Sequence, residues 1–299
     1  MYGDRPHMQG HGIKLRMNEH SDSVSDKEWA KSSGKVPASI ILSRPSFLPF
    51  LTAMRQIFRT LPWIHPSEPE VLQTLYRKYG QKIHVKKGET LKSGGEAPVL
   101  FFLEKGLAAY WVNRTTPGHT AILSLIIPGR TMGDITCFSG ERVNVTSRTL
   151  QDSDVWIVKR CDLLAEYLRN PQLLLTESQQ LIRKQESHIE GMTANFTLGA
   201  EARVKLFLRV LLAAYGLPLH EGENVIPLLI SNELIGDVVN LSRMSVYRIL
   251  TDWEKAGLAK RNGKNLAVAS RLFHDVYDWD DHHYTERDLE GYGPRSVFD

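Results

Sequence analysis

A chain of 299 residues is long enough for two domains, each with its own core. Its 42% hydrophobic and 24% charged residues are those of a globular chain, and no apolar run approaches the ~20 residues that span a bilayer. The net charge of +3 is too small to name a partner; the two distant cysteines, Cys137 and Cys161, offer no disulfide framework and too few ligands for a four-cysteine iron–sulfur cluster.

The first residues lack the apolar core of a secretory signal, so a cytoplasmic location is the expectation. Residues 1–43 are rich in Gly, Ser, His and charge without any period, which predicts a flexible arm. Phe47 to Leu61 is a compact apolar stretch, expected as a helix. Pro66 to Tyr79 predicts a second, with Val71, Leu72 and Leu75 on one side. From Gln81 to Val158 the pattern changes to short apolar runs separated by turn pairs: Lys87-Gly88, Gly94-Gly95, Lys105-Gly106, Pro117-Gly118 and Pro128-Gly129. The runs around Ile83–Val85, Val99–Leu103, Leu107–Val112, Ala121–Ile127, Val145–Leu150 and Val155–Val158 predict an antiparallel barrel or roll, which encloses either a ligand pocket or a core.

A long helix is expected from Pro171 to about Asn195. Leu175, Ile182, Ile189 and Phe196 recur every seven residues, with Leu174 and Leu181 as a second column. Such a stripe calls for a partner, either the same helix of a second subunit or the roll itself. Ala200 to Tyr215 is another amphipathic helix (Val204, Phe207, Leu208, Leu211, Leu212).

The most informative stretch is Ser231 to Leu258. Ser231 and Ser242 are N-cap residues for two short helices. Gly236 permits a close crossing, and Asn240-Leu241 makes the turn between them. In the second helix Val246, Ile249, Leu250 and Trp253 form one face, and Arg243, Met244, Tyr247 and Arg248 another. Arginines one turn apart suit guanine edges or phosphates. Asn262-Gly263 between short apolar runs predicts a basic hairpin carrying Arg261 and Lys264. Between Ser242 and Arg271 seven basic residues face only Asp252 and Glu254, a net of +5, the footprint expected for a polyanion partner. From Leu272 the tail turns acidic.

The order roll, long helix, helix-turn-helix and wing resembles the Crp/Fnr superfamily of bacterial transcription regulators over roughly Ile83 to Ser270. The segment IGDVVNLSRMSVYRIL, Ile235 to Leu250, carries it most strongly; Gly95, Gly106, Gly129 and Gly133 fall at the family's turn positions. The resemblance implies an α+β chain with five parts: arm (1–43), effector-type antiparallel β-roll of the cyclic-nucleotide-binding kind with leading helices (44–169), dimerisation helix (170–197), winged helix-turn-helix (198–271) and acidic tail (272–299). It also implies a homodimer on near-palindromic double-stranded DNA, RNA polymerase as a further partner, a small-molecule effector of unknown identity, no membrane and no catalysis.

Residue by residue, the resemblance places Arg243, Met244, Tyr247 and Arg248 against base edges, and Ser231, Ser242, Arg261 and Lys264 against phosphate. It places Leu175, Ile182, Ile189 and Phe196 in the dimer seam, and Gly133, Asp134, Val143, Asn144 and His188 around the effector. Met244 stands where many members carry a glutamate, so the common half-site does not transfer. The Arg-Ser pair that meets a cyclic phosphate aligns with Val143-Asn144, which removes the charge partner and argues against cyclic AMP. His188 invites a haem or metal role, with a structural histidine as the alternative. His84 and His119 invite a cupin-like enzyme, but no His-x-His occurs in the roll. Cys137 and Cys161 are candidate redox thiols, with structural cysteine as the alternative. A constitutive DNA-binding dimer whose roll holds no ligand remains a further alternative.

Overall fold

The computed structural model describes residues 57–93, 98–112, 121–141, 143, 145–262 and 265–276. The arm, most of the acidic tail, Gly94-Gly95, His119, Asn144 and Lys264 lie outside them. The expected helix over Phe47–Leu61 is not one where it is described: residues 57–60 are a run of bends. Helix α1 is Glu70–Tyr79. It buries Leu72, Leu75 and Tyr76, while Val71 points to solvent, 51% exposed, because Tyr76 completes the buried face four residues after Leu72.

Among the described residues the roll has eight strands: β1 (Gln81–Val85), β2 (Thr90–Ser93), β3 (Val99–Lys105), β4 (Ala108–Val112), β5 (Ala121–Ile126), β6 (Arg130–Met132), β7 (Val145–Thr149) and β8 (Ser153–Lys159). They form two antiparallel sheets, ordered β1-β8-β3-β6 and β2-β7-β4-β5. Strand β3, apolar on both faces, is central and buried from Leu100 to Leu103. Strands β2 and β6 were not anticipated; TLKS and RTM are short and carry a Lys and an Arg that read as surface residues but are buried. Helix α2 (Asp134–Ser139) follows Gly133, and α3 (Arg160–Arg169) follows β8. The described turn glycines Gly106, Gly129 and Gly133 all have positive φ.

Helix α4 runs Pro171–Thr197. Its buried face is polar: Glu177, Gln180, Lys184, Ser187 and His188 point into the roll beside Leu173, Gly191 and Ala194. Its apolar stripe faces outward, with Leu175, Ile182, Ile189 and Phe196 all exposed. The stripe therefore does not pack on its own roll, one of the two alternatives the sequence left open.

A strap of chain ahead of α1 fastens α4 to the sheets. Ile64 makes a parallel bridge to Leu125, on the outer edge of β5, where it covers an otherwise open sheet edge. Ser187 Oγ reaches the carbonyls of Leu61 (2.7 Å) and Ile64 (2.9 Å). Trp63 is fully buried, with a left-handed backbone (φ 60°) rare for a bulky residue. It fits because α4 has a glycine opposite: a Cβ on Gly191 would lie 2.7 Å from the Trp63 ring.

Helix α5 (Ala200–Ala214), β9 (Glu223–Val225), α6 (Asn232–Val239), α7 (Arg243–Lys255), β10 (Ala259–Asn262) and β11 (Asn265–Ala269) follow, with a sheet ordered β10-β11-β9. The packed structure continues past Arg271: Leu272 and Phe273 are buried in a final 3₁₀ turn, and Asp275 pairs with Lys205 at 3.0 Å. The roll and the C-terminal helices share one hydrophobic core, in which Trp63, Leu125 and Ile127 join Phe207, Leu211, Val238, Val239, Leu250 and Trp253. Trp63 meets Phe207 edge-on at 6.1 Å.

Gly236 decides the closeness of the α6–α7 turn. A Cβ there would sit 2.5 Å from the Leu241 carbonyl oxygen, a backbone atom that cannot swing away. Gly236→Ala is expected to cost about 1–3 kcal/mol of stability, as overpacking does, read as a lowered midpoint in chemical denaturation; an unchanged midpoint would mean the turn is not tightly packed.

Candidate functional site

Two places hold the residues singled out by the sequence. The first is the surface of α7. Ser231 and Ser242 both act as N-caps, their hydroxyls accepting from the Leu234 and Ser245 amides at 3.0 Å each. Asn240 adopts the left-handed conformation (φ 54°) that turns the chain between the helices. Val246, Leu250 and Trp253 go into the core and Ile249 is half-buried. Arg243, Met244, Tyr247 and Arg248 lie together on the opposite, exposed face, with Met244 55% and Tyr247 52% accessible. The two arginines have no ion-pair partner among the described residues.

The opposing acids are occupied elsewhere: Asp252 by Lys255 (3.5 Å), Glu254 by Arg261 (3.8 Å). Arg261 also donates to Asn232 Oδ1, which ties the wing strand β10 to the start of α6. Strand β10 closes on β11 with Asn262 opposite Asn265. Arg271 donates to the carbonyls of Ala256 and Gly257, satisfying the end of α7. The face is cationic and backed by a fixed core.

The second place is a cavity of about 70 Å³ between the roll and α4, lined by Lys92, Tyr110, Leu123, Gly133, Asp134, Ile135, Thr136, Val143, Val145, Ser147 and His188. Gly133, Asp134, Val143 and His188 lie together on this wall, and Asn144 lies outside the described residues. Their chemistry differs from the expectation. The Asp134 carboxylate is already paired: Lys184 of α4 reaches its Oδ2 at 2.8 Å, and also Glu68 Oε1 at 2.7 Å and Thr131 Oγ1 at 2.6 Å. Burial pulls the Lys184 ammonium down, but Asp134 and Glu68 outweigh it and hold it above the usual lysine range. Burial likewise raises Asp134, and Lys184 reverses it, so its carboxyl lies below the ordinary value.

His188 stands at the cavity wall, its Nε2 3.0 Å from Nε2 of His65. Burial lowers both, His65 well below the usual range and His188 to about 4, so both rings are neutral near pH 7. His65 Nδ1 faces the Thr131 carbonyl at 3.3 Å and must donate. Its Nε2 is then an acceptor, so His188 Nε2 donates to it and is taken up by that bond. Among the described residues no group of three His, Cys, Asp or Glu side chains is arranged to hold a metal. His84 pairs with Asp154 on an exposed face at 3.0 Å. Cys137 is buried, which pushes its thiol up to about 12 and leaves it a poor nucleophile; Cys161 is exposed.

Residues 82–170 match the family model of the cyclic nucleotide-binding domain. Among solved structures, FixK2 from Bradyrhizobium japonicum superimposes with a TM-score of 0.58 at 19% identity, covering 67% of this chain and 98% of that one. The c-di-GMP-responsive global regulator CLP from Xanthomonas campestris gives 0.57 at 15% identity, covering 67% and 99%. A CRP/FNR-family transcriptional regulator from Thermus thermophilus gives 0.51 at 16%, covering 66% and 98%. The fold is that of the Crp/Fnr transcription regulators. No curated protein matches the chain in sequence, and among the described residues no helix is long and apolar enough to cross a membrane.

The cavity between the roll and α4 is far below the ~300 Å³ of an ordinary ligand pocket. Sequence reasoning missed Lys184, Glu68, Glu177 and His65. One signal was available: Glu177, Gln180, Lys184 and Ser187 recur every three to four residues between the apolar stripes, which on a helix is a continuous polar face. A polar face ordinarily means solvent, and only the packing shows it turned inward.

Lys184→Met would leave Glu68 and Asp134 as uncompensated buried charges, and a loss of about 3–5 kcal/mol is expected. Adding Asp134→Asn should recover part of it. Equal denaturation midpoints for wild type and the single variant would show the network to be solvated.

Proposed function

We propose that the protein is a dimeric, sequence-specific DNA-binding transcription regulator. The observation that carries this is the exposed face of α7, where Arg243, Met244, Tyr247 and Arg248 stand together on a helix capped by Ser242 and backed by a shared core. In this reading the two arginines and Tyr247 meet base edges in a major groove, and Met244 meets a thymine methyl. Ser231, Ser242, Arg261 and Lys264 lie toward phosphate, Arg261 exchanging its Asn232 and Glu254 partners for it.

The outward stripe of α4 supports the dimer. Phe196 is 84% and Ile182 59% exposed, on a helix whose other face is already packed. Burying such side chains contributes about 1.5–3 kcal/mol each. A seven-residue repeat drifts only about 20° per heptad, so Leu175, Ile182, Ile189 and Phe196 stay on one seam of a left-handed pair. Two readers on a two-fold axis would bind a near-palindromic duplex, with RNA polymerase as the further partner of a regulator.

The small cavity, whose Asp134 is already paired with Lys184, favours a second reading of the roll, as a dimer scaffold that takes no small-molecule effector. Selection of bound sequences from random duplex DNA, with and without a metabolite extract, separates the two, because affinity that does not respond to the extract supports the scaffold.

Arg243→Ala and Arg248→Ala are each expected to weaken binding to the selected site by about 1–3 kcal/mol and to relax discrimination at one base pair. Retained discrimination in titrations against single-base variants would remove the arginine from base reading. Ile182→Glu is expected to give a folded monomer by analytical ultracentrifugation with at least tenfold weaker binding to a palindromic site; a variant that remains dimeric would place the interface elsewhere.

A further inference from the structure

We infer that Glu177 is a proton-binding site that regulates the protein: protonated, it holds α4 docked on the roll, and ionised, it loosens that docking and the DNA-binding helices beyond it. The effect on DNA rests on the DNA-reading function proposed above; the proton site itself does not.

Glu177 lies on the inward face of α4 with 1% of its surface exposed, where α1, α3 and α4 meet. The hydroxyls of Tyr76 (α1, 2.5 Å) and Tyr167 (α3, 3.0 Å) both donate to the same oxygen, Oε2. The other oxygen, Oε1, is buried with no hydrogen-bond partner among the described residues. Both donors converge on Oε2, which leaves Oε1 free to carry the hydrogen of a neutral carboxylic acid with Oε2 as its carbonyl.

Charge leads to the same place. Glu68, Asp134 and Glu177 are all buried around one ammonium, and Lys184 makes its contacts with Glu68, Asp134 and Thr131. Two negative charges would remain if every carboxyl were ionised, at a site where unpaired charge is most costly. Glu68 Oε2 and Gln180 Oε1 are also buried acceptors without a donor among the described residues. A proton on Glu177 removes one charge and supplies one donor.

The groups facing Glu177 are Tyr76 of α1, Tyr167 of α3, Gln180 and Lys184 of α4, Glu68 of the strap, and Asp134 and Cys137 of α2. Burial pushes its carboxyl up to about 7; Lys184 works against that and Glu68 with it.

The sign of the linkage follows. A docked, buried Glu177 keeps its proton up to about pH 7, while a solvated one releases it near 4.5. Docking is therefore favoured at low pH, is weakened as pH rises through that interval, and levels off above it. Between pH 6 and 8 the open-to-docked ratio should rise about tenfold.

Hydrogen exchange of the α4 amides from Leu173 to Lys184, divided by intrinsic rates, reads this directly in the full-length protein without DNA. Wild type should show about tenfold more opening at pH 8 than at pH 6, and Glu177→Gln, which mimics the neutral acid, should be flat. Equal slopes in the two proteins would overturn the inference. If Glu177→Gln does not fold, Tyr167→Phe serves instead. It withdraws a donor that favours the ionised carboxyl, so the transition should move to higher pH, and an unmoved midpoint would count against the site. Affinity for the selected operator at constant ionic strength should fall over the same interval in wild type only, by at most about tenfold. If no operator can be selected, the DNA-reading proposal fails and the exchange experiment still decides the proton site.

Discussion

The seating of α4 on the roll depends on the buried ammonium of Lys184. It lies under α4 with Glu68 of the strap on one side and Asp134 at the start of α2 on the other, and with the Thr131 hydroxyl between them on β6. A buried charge of this kind is stable only while every partner is in place. The strap, the short helix after Gly133 and the long helix are therefore fixed relative to one another by one cluster. The acidic residue that the Crp/Fnr resemblance assigned to a ligand is thereby paired with a side chain of the protein itself.

The inward polarity of α4 has a consequence on its other side. Since its polar residues find their partners on the roll and the strap, its apolar stripe faces away from both and is exposed from Leu175 to Phe196 among the described residues. The usual arrangement of an amphipathic helix, apolar in and polar out, is reversed. A helix arranged this way is unstable as a lone surface element and well suited to an interface.

The strap joins the roll to the C-terminal helices. His65 touches the cavity wall through His188, and its carbonyl accepts from Arg130, which also reaches the Ala214 carbonyl at the end of α5. Two residues away, Trp63 enters the core shared with Phe207. The Asn195 side-chain nitrogen on α4 meets the Val238 carbonyl of α6 at 3.3 Å, and Arg203 meets that of Val239 at 2.8 Å. A change in how α4 is seated has a short, packed route to α6 and α7.

Where local rules govern, the sequence alone was sufficient. The caps at Ser231 and Ser242, the left-handed turn at Asn240, the close approach at Gly236, the exposed quartet on α7 and the period-seven stripe of α4 follow from spacing and side-chain type, which act over a few residues. The sequence pattern also anticipated six of the roll's strands, but β2 and β6 escaped because their buried Lys92 and Arg130 mimic surface residues. What the tertiary structure decided was which partners distant residues find. Lys184 with Glu68 and Asp134, His65 with His188, and Glu177 with Tyr76 and Tyr167 are separated by as many as 123 residues in the chain. A charged or polar side chain in sequence is assigned to solvent by default, and only long-range packing supplies the burial and the counter-groups that make it part of a core.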